Sequence, residues 1–138
     1  MARFAALEGG ERMGGGFEDE EDLRAPVNDW IRSRGWEPIN EYRICMRIPD
    51  VVGVEDRKIR VAVEMKLSDW RTALGQAHVY RFFAEMSYIA MPSSKQRVIL
   101  CNIREFNSLG IGVLLIRGDA SVIELLQGRP SDSPFCHI

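Results

Sequence analysis

Nine residues near the middle of the chain, Ile59-Arg60-Val61-Ala62-Val63-Glu64-Met65-Lys66-Leu67, constrain the fold more than any other segment. The run is rich in β-branched residues and lies between a polar turn and Ser68-Asp69, so it reads as a strand. Side chains alternate between the two faces of a strand. Val61, Val63, Met65 and Leu67 therefore form one apolar face, and Ala62, Glu64 and Lys66 share the other. A carboxylate and an ammonium stand side by side on it.

A hairpin brings a third ionisable group to the same place. Pro49 interrupts the preceding segment, Asp50-Val51-Val52-Gly53-Val54 begins a strand, and Glu55-Asp56-Arg57-Lys58 is a polar turn. If the turn is centred near Arg57, paired residues have numbers summing to about 114, which sets Asp50 opposite Glu64. Two facing carboxylates repel unless a cation lies between them. Mg²⁺ prefers oxygen ligands and needs only one or two protein carboxylates, so a divalent metal suits the position. Lys66 would lie against a phosphate or an attacking water as a point charge. Each element also has a plainer reading: Glu-x-Lys is common as an ion pair on a solvated face, and Asp after Pro is common in turns.

Around this hairpin the chain divides into short elements. Residues 1–17, with Gly9, Gly10 and Gly14-Gly15-Gly16, are expected to be a flexible, Gly-rich tail preceding a single domain over 18–138. Glu18 to Arg34 has helical spacing of Leu23, Val27, Trp30 and Ile31, with an acidic start that suits a helix dipole and Pro26 delaying the regular turns. Trp36 to Ile48 alternates like a first strand. Ser68 is expected to cap a helix from Asp69 to about Glu85, Tyr88 to Met91 to form a short buried strand, and Ser93 to Asn107 to form a further helix. Ile111 to Arg117 and Val122 to Leu126 complete a last hairpin. The resulting order, α-β-β-β-α-β followed by a helix and a hairpin, implies an α/β fold with a mixed central sheet flanked by helices.

Composition narrows the classes. With 138 residues, 46% hydrophobic, the chain can bury a core without disulfides or a structural zinc. Cys45, Cys101 and Cys136 are odd in number and contain no C-x-x-C pair, and only His78 and His137 could assist a metal cage, which points to a reducing, cytoplasmic compartment. No apolar run approaches the roughly 18 residues of a membrane span. Trp30, Trp36 and Trp70 read as packing residues, His78 as a surface or core histidine, and Gly110-Ile111-Gly112 as a strand start.

The ordered set Ile48-Pro49-Asp50, then Val63-Glu64-Met65-Lys66 fourteen residues on, then Gln76-Ala77-His78-Val79-Tyr80 resembles the PD-(D/E)XK nuclease superfamily over residues 18–117. The last segment is similar to the Q-x-x-x-Y motif of its RecB-like branch, although the histidine that branch places upstream of the aspartate is missing. The resemblance implies a restriction-endonuclease-like core. It also implies Asp50 and Glu64 as ligands of Mg²⁺ or Mn²⁺, with the Met65 carbonyl and Glu41 as further ligands and Glu21 and Asp29 as weaker acidic options. Lys66 would orient the attacking water, and Gln76 and Tyr80, one helical turn apart, would support the site. A helix face of Ala73, Gln76, Tyr80 and Phe83 packed on the sheet is the plainer reading of that pair.

The function implied is phosphodiester hydrolysis on DNA, as an endonuclease or exonuclease of repair, recombination or defence; a nuclease-like module that binds nucleic acid or a protein without cutting is the alternative. A homodimer is compatible with so small a chain spanning two strands. The net charge of −2 at first argues against DNA, but it is unevenly spread. Three arginines against seven carboxylates give the first 25 residues −4, and fifteen basic against thirteen acidic side chains give the remainder +2. Arg43, Arg47, Arg57, Lys58, Arg60, Arg71 and Arg81 are expected around the site, giving local, salt-sensitive phosphate attraction.

Overall fold

The computed structural model describes residues 16–44 and 46–132. Most of the expected tail (1–15), Cys45, Cys136 and His137 lie outside the described residues. A 3-10 turn at Glu20–Leu23 runs into helix α1 (Arg24–Ser33), followed by strands β1 (Glu37–Asn40), β2 (Val51–Glu55) and β3 (Lys58–Met65). Helix α2 (Trp70–Tyr80) leads to β4 (Met86–Pro92), helices α3 (Gln96–Cys101) and α4 (Ile103–Leu109) lead to β5 (Gly112–Ile116), and β6 (Val122–Leu126) closes the order.

The six strands form one mixed sheet in sequence order. β1, β2 and β3 are successively antiparallel, β3, β4 and β5 are parallel, and β6 returns antiparallel to β5. Parallel neighbours require crossover connections, which α2 and the α3–α4 pair supply. Leu23 of the 3-10 turn and Val27 and Ile31 of α1 pack against Val51, Val61, Val63, Met65, Tyr88 and Leu114 on one face of the sheet. Trp70, Ala73, Leu74 and Ala77 of α2, with Ile99 and Phe106, cover Ile89, Met91, Val113 and Leu115 on the other. The tryptophans pack as expected: Trp30 lies 5.1 Å from Tyr88, and Trp70 lies 5.5 Å from Phe106 between ring centroids. No described helix is long and apolar enough to cross a membrane.

Several boundaries differ from expectation. β1 stops at Asn40 rather than continuing to Ile48, because Glu41 turns the chain with φ 54° and the following residues pair with themselves. Ile44 N–H donates to the Arg47 carbonyl at 2.7 Å and Arg47 N–H returns to Ile44 at 2.9 Å, closing a tight turn outside the sheet. Asp69, not Ser68, caps α2: its carboxylate accepts from Thr72 N–H at 3.2 Å and from the Thr72 hydroxyl at 2.6 Å. The same helix ends at Tyr80 rather than near Glu85, through tightened three-residue turns at Arg81, Phe82 and Phe83. The helix expected over 93–107 is broken at Asn102, whose side-chain amide donates to the Val98 carbonyl at 2.8 Å.

The β2–β3 hairpin carries a feature that alternation alone does not reveal. Asp56 and Arg57 both have positive φ, 51° and 63°, and form a two-residue mirror-image turn. Next to the turn, Glu55 pairs with Lys58 and Val54 with Ile59; beyond it, Gly53 pairs with Val61, Val52 with Ala62 and Val51 with Val63. Arg60 is therefore an extra residue, a β-bulge. Side-chain placement agrees: Ile59 shares a cluster with Ala62 and Val52, whereas Val61, Val63 and Met65 face α1. The bulged side chain is clamped, its guanidinium reaching Glu55 at 3.0 Å and Glu85 at 2.9 Å.

Deleting Arg60 removes the extra residue and turns one face of β3 against the wrong core, so the deletion variant is expected to lose its cooperative thermal melt. Arg60→Ala keeps the residue count and loses only partly exposed ion pairs, at a cost of about 1 kcal/mol or less. A deletion variant that melts like the wild type would show that the bulge does not hold the register.

Candidate active site

At the carboxyl end of β3, where β2 begins, the main-chain ladder ends with Val51 opposite Val63. The next β2-facing N–H, that of Met65, is taken by a side chain: Asp50 Oδ2 accepts it at 2.7 Å. Asp50 is held at its backbone too. Its carbonyl accepts from Glu41 N–H at 2.9 Å and from the Arg24 guanidinium at 2.7 Å. Asp50 is thus joined to β3, to the end of β1 and to α1.

Glu64 lies one residue before Met65 and faces the α2 side of the sheet, with only 6% of its surface exposed. The Tyr80 hydroxyl donates to Glu64 Oε1 at 2.8 Å from the last turn of α2. Extending the spacing of the last three β2–β3 pairs by one residue sets Asp50 opposite Glu64, near enough for the charge of one to act on the other. Burial first, and then the charge of Asp50, push the Glu64 carboxyl up to about 7, against the smaller opposing effects of Tyr80 and Lys66. Burial also raises Asp50, opposed by the Met65 N–H and Arg24 and reinforced by Glu20. The Tyr80 hydroxyl is raised by burial and by Glu64, so it remains a donor.

The other expected residues fall around this pair to different degrees. Lys66 is half-buried at the strand end, with its N–H on the Ala90 carbonyl at 3.1 Å and its ammonium acting on both Glu64 and Asp69. Gln76 is half-buried one turn before Tyr80, and its Oε1 is buried with no hydrogen-bond partner among the described residues. Glu41 reaches the site through Arg24, which it meets at 3.2 Å, and its side chain is 67% exposed. Glu21 also pairs with Arg24, at 2.7 Å, while Asp29 pairs with Arg32 at 3.1 Å on an exposed part of α1. His78 is exposed.

Two groups at the site had no role in the sequence reading. Arg24 ties Glu21, Glu41 and Asp50 together, and Glu20, on the 3-10 turn, is near enough to act on Asp50. The Glu21–Arg24 spacing signals a local helix pair, but nothing local signals contacts reaching 17 and 26 residues along the chain.

Among the described residues, no group of three or more His, Cys, Asp and Glu side chains is placed to hold a metal ion. Asp50 and Glu64 form a pair. Two carboxyls in a partly dry site, one raised by burial and then by the charge of the other, are nonetheless a donor set that a hard divalent cation fits, since the cation offsets both the lost hydration and the repulsion. The buried, unpartnered Gln76 Oε1 is a further oxygen in need of a partner.

The basic residues are less concentrated here than the sequence suggests. Arg57, Lys58 and Arg60 belong to the turn end of the hairpin, and the five-residue length of β2 separates that end from Asp50 by roughly 17 Å. Arg60 is spent on Glu55 and Glu85, and Arg81 on the carbonyls of Gly110 and Arg129 at 3.0 and 2.8 Å. Lys66, Arg43, Arg47 and Arg71 remain on the segments that border the pair.

Glu64 gives a pH signature. Its folded pKa of about 7 lies above the ordinary 4.5, so between those values the folded state keeps a proton that the unfolded chain releases. Stability of the metal-free protein is expected to fall as pH rises through this window. Glu64→Gln keeps an oxygen for Tyr80 without the charge. It should raise the melting temperature at pH 8 by several degrees, as about 1–3 kcal/mol would in a domain of this length. A metal-free melting temperature that Glu64→Gln leaves unchanged between pH 5 and pH 8 would contradict this account of the pair.

No family model matches the chain, and no curated protein matches it significantly. Among solved structures it is similar to a protein of unknown function from Silicibacter pomeroyi, with a TM-score of 0.65 and 15% sequence identity over 85% of this chain and 76% of that one. A likeness at this identity concerns the fold alone.

Proposed function

We propose that the chain is a metal-dependent phosphodiesterase acting on DNA, built on a restriction-endonuclease-like core. The observation that carries the reading is the Asp50–Glu64 pair at the carboxyl end of a parallel strand, with Lys66 two residues beyond Glu64 and Tyr80 bonded to it. The helix–three strands–helix–strand order and the mixed sheet are compatible with that core. Crevices outside the carboxyl ends of parallel strands are where open α/β sheets usually bind ligands.

Asp50 and Glu64 would hold Mg²⁺ or Mn²⁺. In an extended strand the N–H and C=O of one residue point the same way, so the Met65 carbonyl lies on the Asp50 side and can act as a third oxygen. When bound, the metal supplies Lewis-acid polarisation of the scissile phosphate. The protein's own part is placement and charge. Asp50 is fixed at both its carbonyl and its carboxylate, so this side chain is positioned before substrate arrives. Tyr80 fixes Glu64 Oε1 and leaves the second carboxyl oxygen for the site. Lys66 offers a positive charge to the phosphate oxygens and a donor to the attacking water, and Gln76 offers its unpartnered oxygen to that water or to the metal's hydration shell.

The test is a panel of linear, flapped and four-way DNA substrates with Mg²⁺ or Mn²⁺, run beside metal-binding calorimetry. Cleavage is expected with the wild type, a loss of about 10²-fold or more with Lys66→Ala, and no Mn²⁺ binding heat with Asp50→Asn. Undiminished cleavage by Lys66→Ala would sink the role given to it. A wild type that binds neither metal and cuts none of the substrates would sink the reading itself.

A further inference from the structure

Between Glu41 and Asp50 the chain leaves the sheet beside the site, and residues 42–49 take no part in the chemistry described above. The base of this arm is anchored: Tyr42 and Ile44 pack against the cluster containing Tyr80 and Ala84, and Ile44 and Arg47 close on each other through two main-chain hydrogen bonds. Arg47 also acts on the Tyr80 hydroxyl, the donor to Glu64, so this base borders the carboxylate pair. Beyond the base the composition changes. Met46 is 88% exposed, the most exposed large hydrophobic side chain among the described residues, and Ile48 is 44% exposed. Arg43 and Arg47 are both exposed, and residues 42–49 contain no acidic side chain.

We infer that this arm engages duplex DNA, with Arg43 and Arg47 on backbone phosphates and Met46 pressed against a base step. The inference rests on the phosphodiesterase reading and names the class of substrate: duplex that is locally easy to deform. An exposed thioether chain between two cations suits a partner with an anionic rim and an apolar interior, which is what the edge of a base stack presents. Apolar side chains inserted at a base step unstack it at a cost of a few kcal/mol, offset by added backbone contacts. The cost is lowest at flexible pyrimidine–purine steps, nicks and mismatches. Methionine, unbranched and flexible, can fit such an irregular gap. A second copy of the chain fits less well, because a two-fold contact through this tip would oppose arginine to arginine.

The experiment uses the full chain and a short duplex carrying 2-aminopurine at a TA step, with binding followed at several salt concentrations. Wild-type protein is expected to raise the 2-aminopurine emission. Met46→Ala should remove most of that rise and weaken binding about tenfold while leaving the salt slope unchanged. Arg43→Ala and Arg47→Ala should each reduce the salt slope by about 1. Emission that Met46→Ala does not alter, a wild type that does not bind the duplex, or self-association of the wild type that Met46→Ala abolishes would each overturn the inference. Mn²⁺ calorimetry on the same samples separates the two readings. Absent metal binding with arm-dependent DNA binding intact defeats the metal chemistry alone. Intact metal binding and cleavage with arm variants equal to wild type defeats the arm alone.

Discussion

The fold and the candidate site both depend on one extra residue in one strand. A two-residue turn at Asp56-Arg57 makes the pairs nearest it sum to 113, and continued along the hairpin that register would set Asp50 opposite Val63. A slip of one residue exchanges the faces of a strand. Glu64 would then point into the apolar cluster under α1, while Val63 and Met65 turned toward α2. The bulge at Arg60 adds the missing residue, so β3 presents Ile59 to one side at its start and Val61, Val63 and Met65 to the other thereafter. Both layers of the core are then apolar, and the carboxylate emerges where Asp50 waits. A buried carboxyl among aliphatic side chains costs several kcal/mol, so the bulge is as much a condition of folding as of the site.

The carboxylate pair itself works against stability. Burial raises both carboxyls, the charge of Asp50 raises Glu64 further and that of Glu20 raises Asp50, and the surroundings relieve this only in part, through the Met65 N–H and Arg24 on Asp50 and the Tyr80 hydroxyl on Glu64. A chain selected only for stability would place an apolar residue at position 64. Instead the surrounding contacts immobilise the pair. Arg24 joins the end of β1, the start of β2 and the first helix at Asp50, and α2 delivers Tyr80 from the other side. Strain of this kind persists where neighbouring structure over-determines it, which is the usual condition of a functional site.

What could be read from the sequence follows from which interactions are local. Face alternation in β3, the hairpin, the amphipathic first helix and the spacing of Gln76 and Tyr80 are all short-range patterns, and they place Asp50, Glu64 and Tyr80 together. The register came out right near the site for a compensating reason: a turn centre taken half a residue too late stood in for a bulge that no local residue marks. Alternation misled at Trp36 to Ile48, where the alternating side chains include Glu41 and Arg43 and the chain turns at Glu41 with φ 54°. Helix ends were misplaced by a residue or more because Ser68 and Asp69 are both good caps, and only the position of Thr72 decides between them. Arg24 and Glu20 were invisible as site residues because their partners there are distant in sequence.

Charge shows how three-dimensional placement changes a sequence argument. Counting arginines near the motif suggests a broad cationic field, yet Arg60 and Arg81 are occupied by carboxylates and main-chain carbonyls, and Arg57 lies at the far end of the hairpin. At a separation of roughly 17 Å, about two Debye lengths at physiological salt, a charge at that end contributes little to the potential at Asp50. The cations left beside the pair are few: Lys66, Arg71 stacked 4.3 Å over Trp70, and the two arginines of the β1–β2 arm. Attraction of a polyanion by so small a set is weak at long range and depends on close geometry. The modest net charge of −2 is therefore compatible with a nucleic-acid partner only if contact is made locally, with affinity supplied by shape as much as by the protein's own cations.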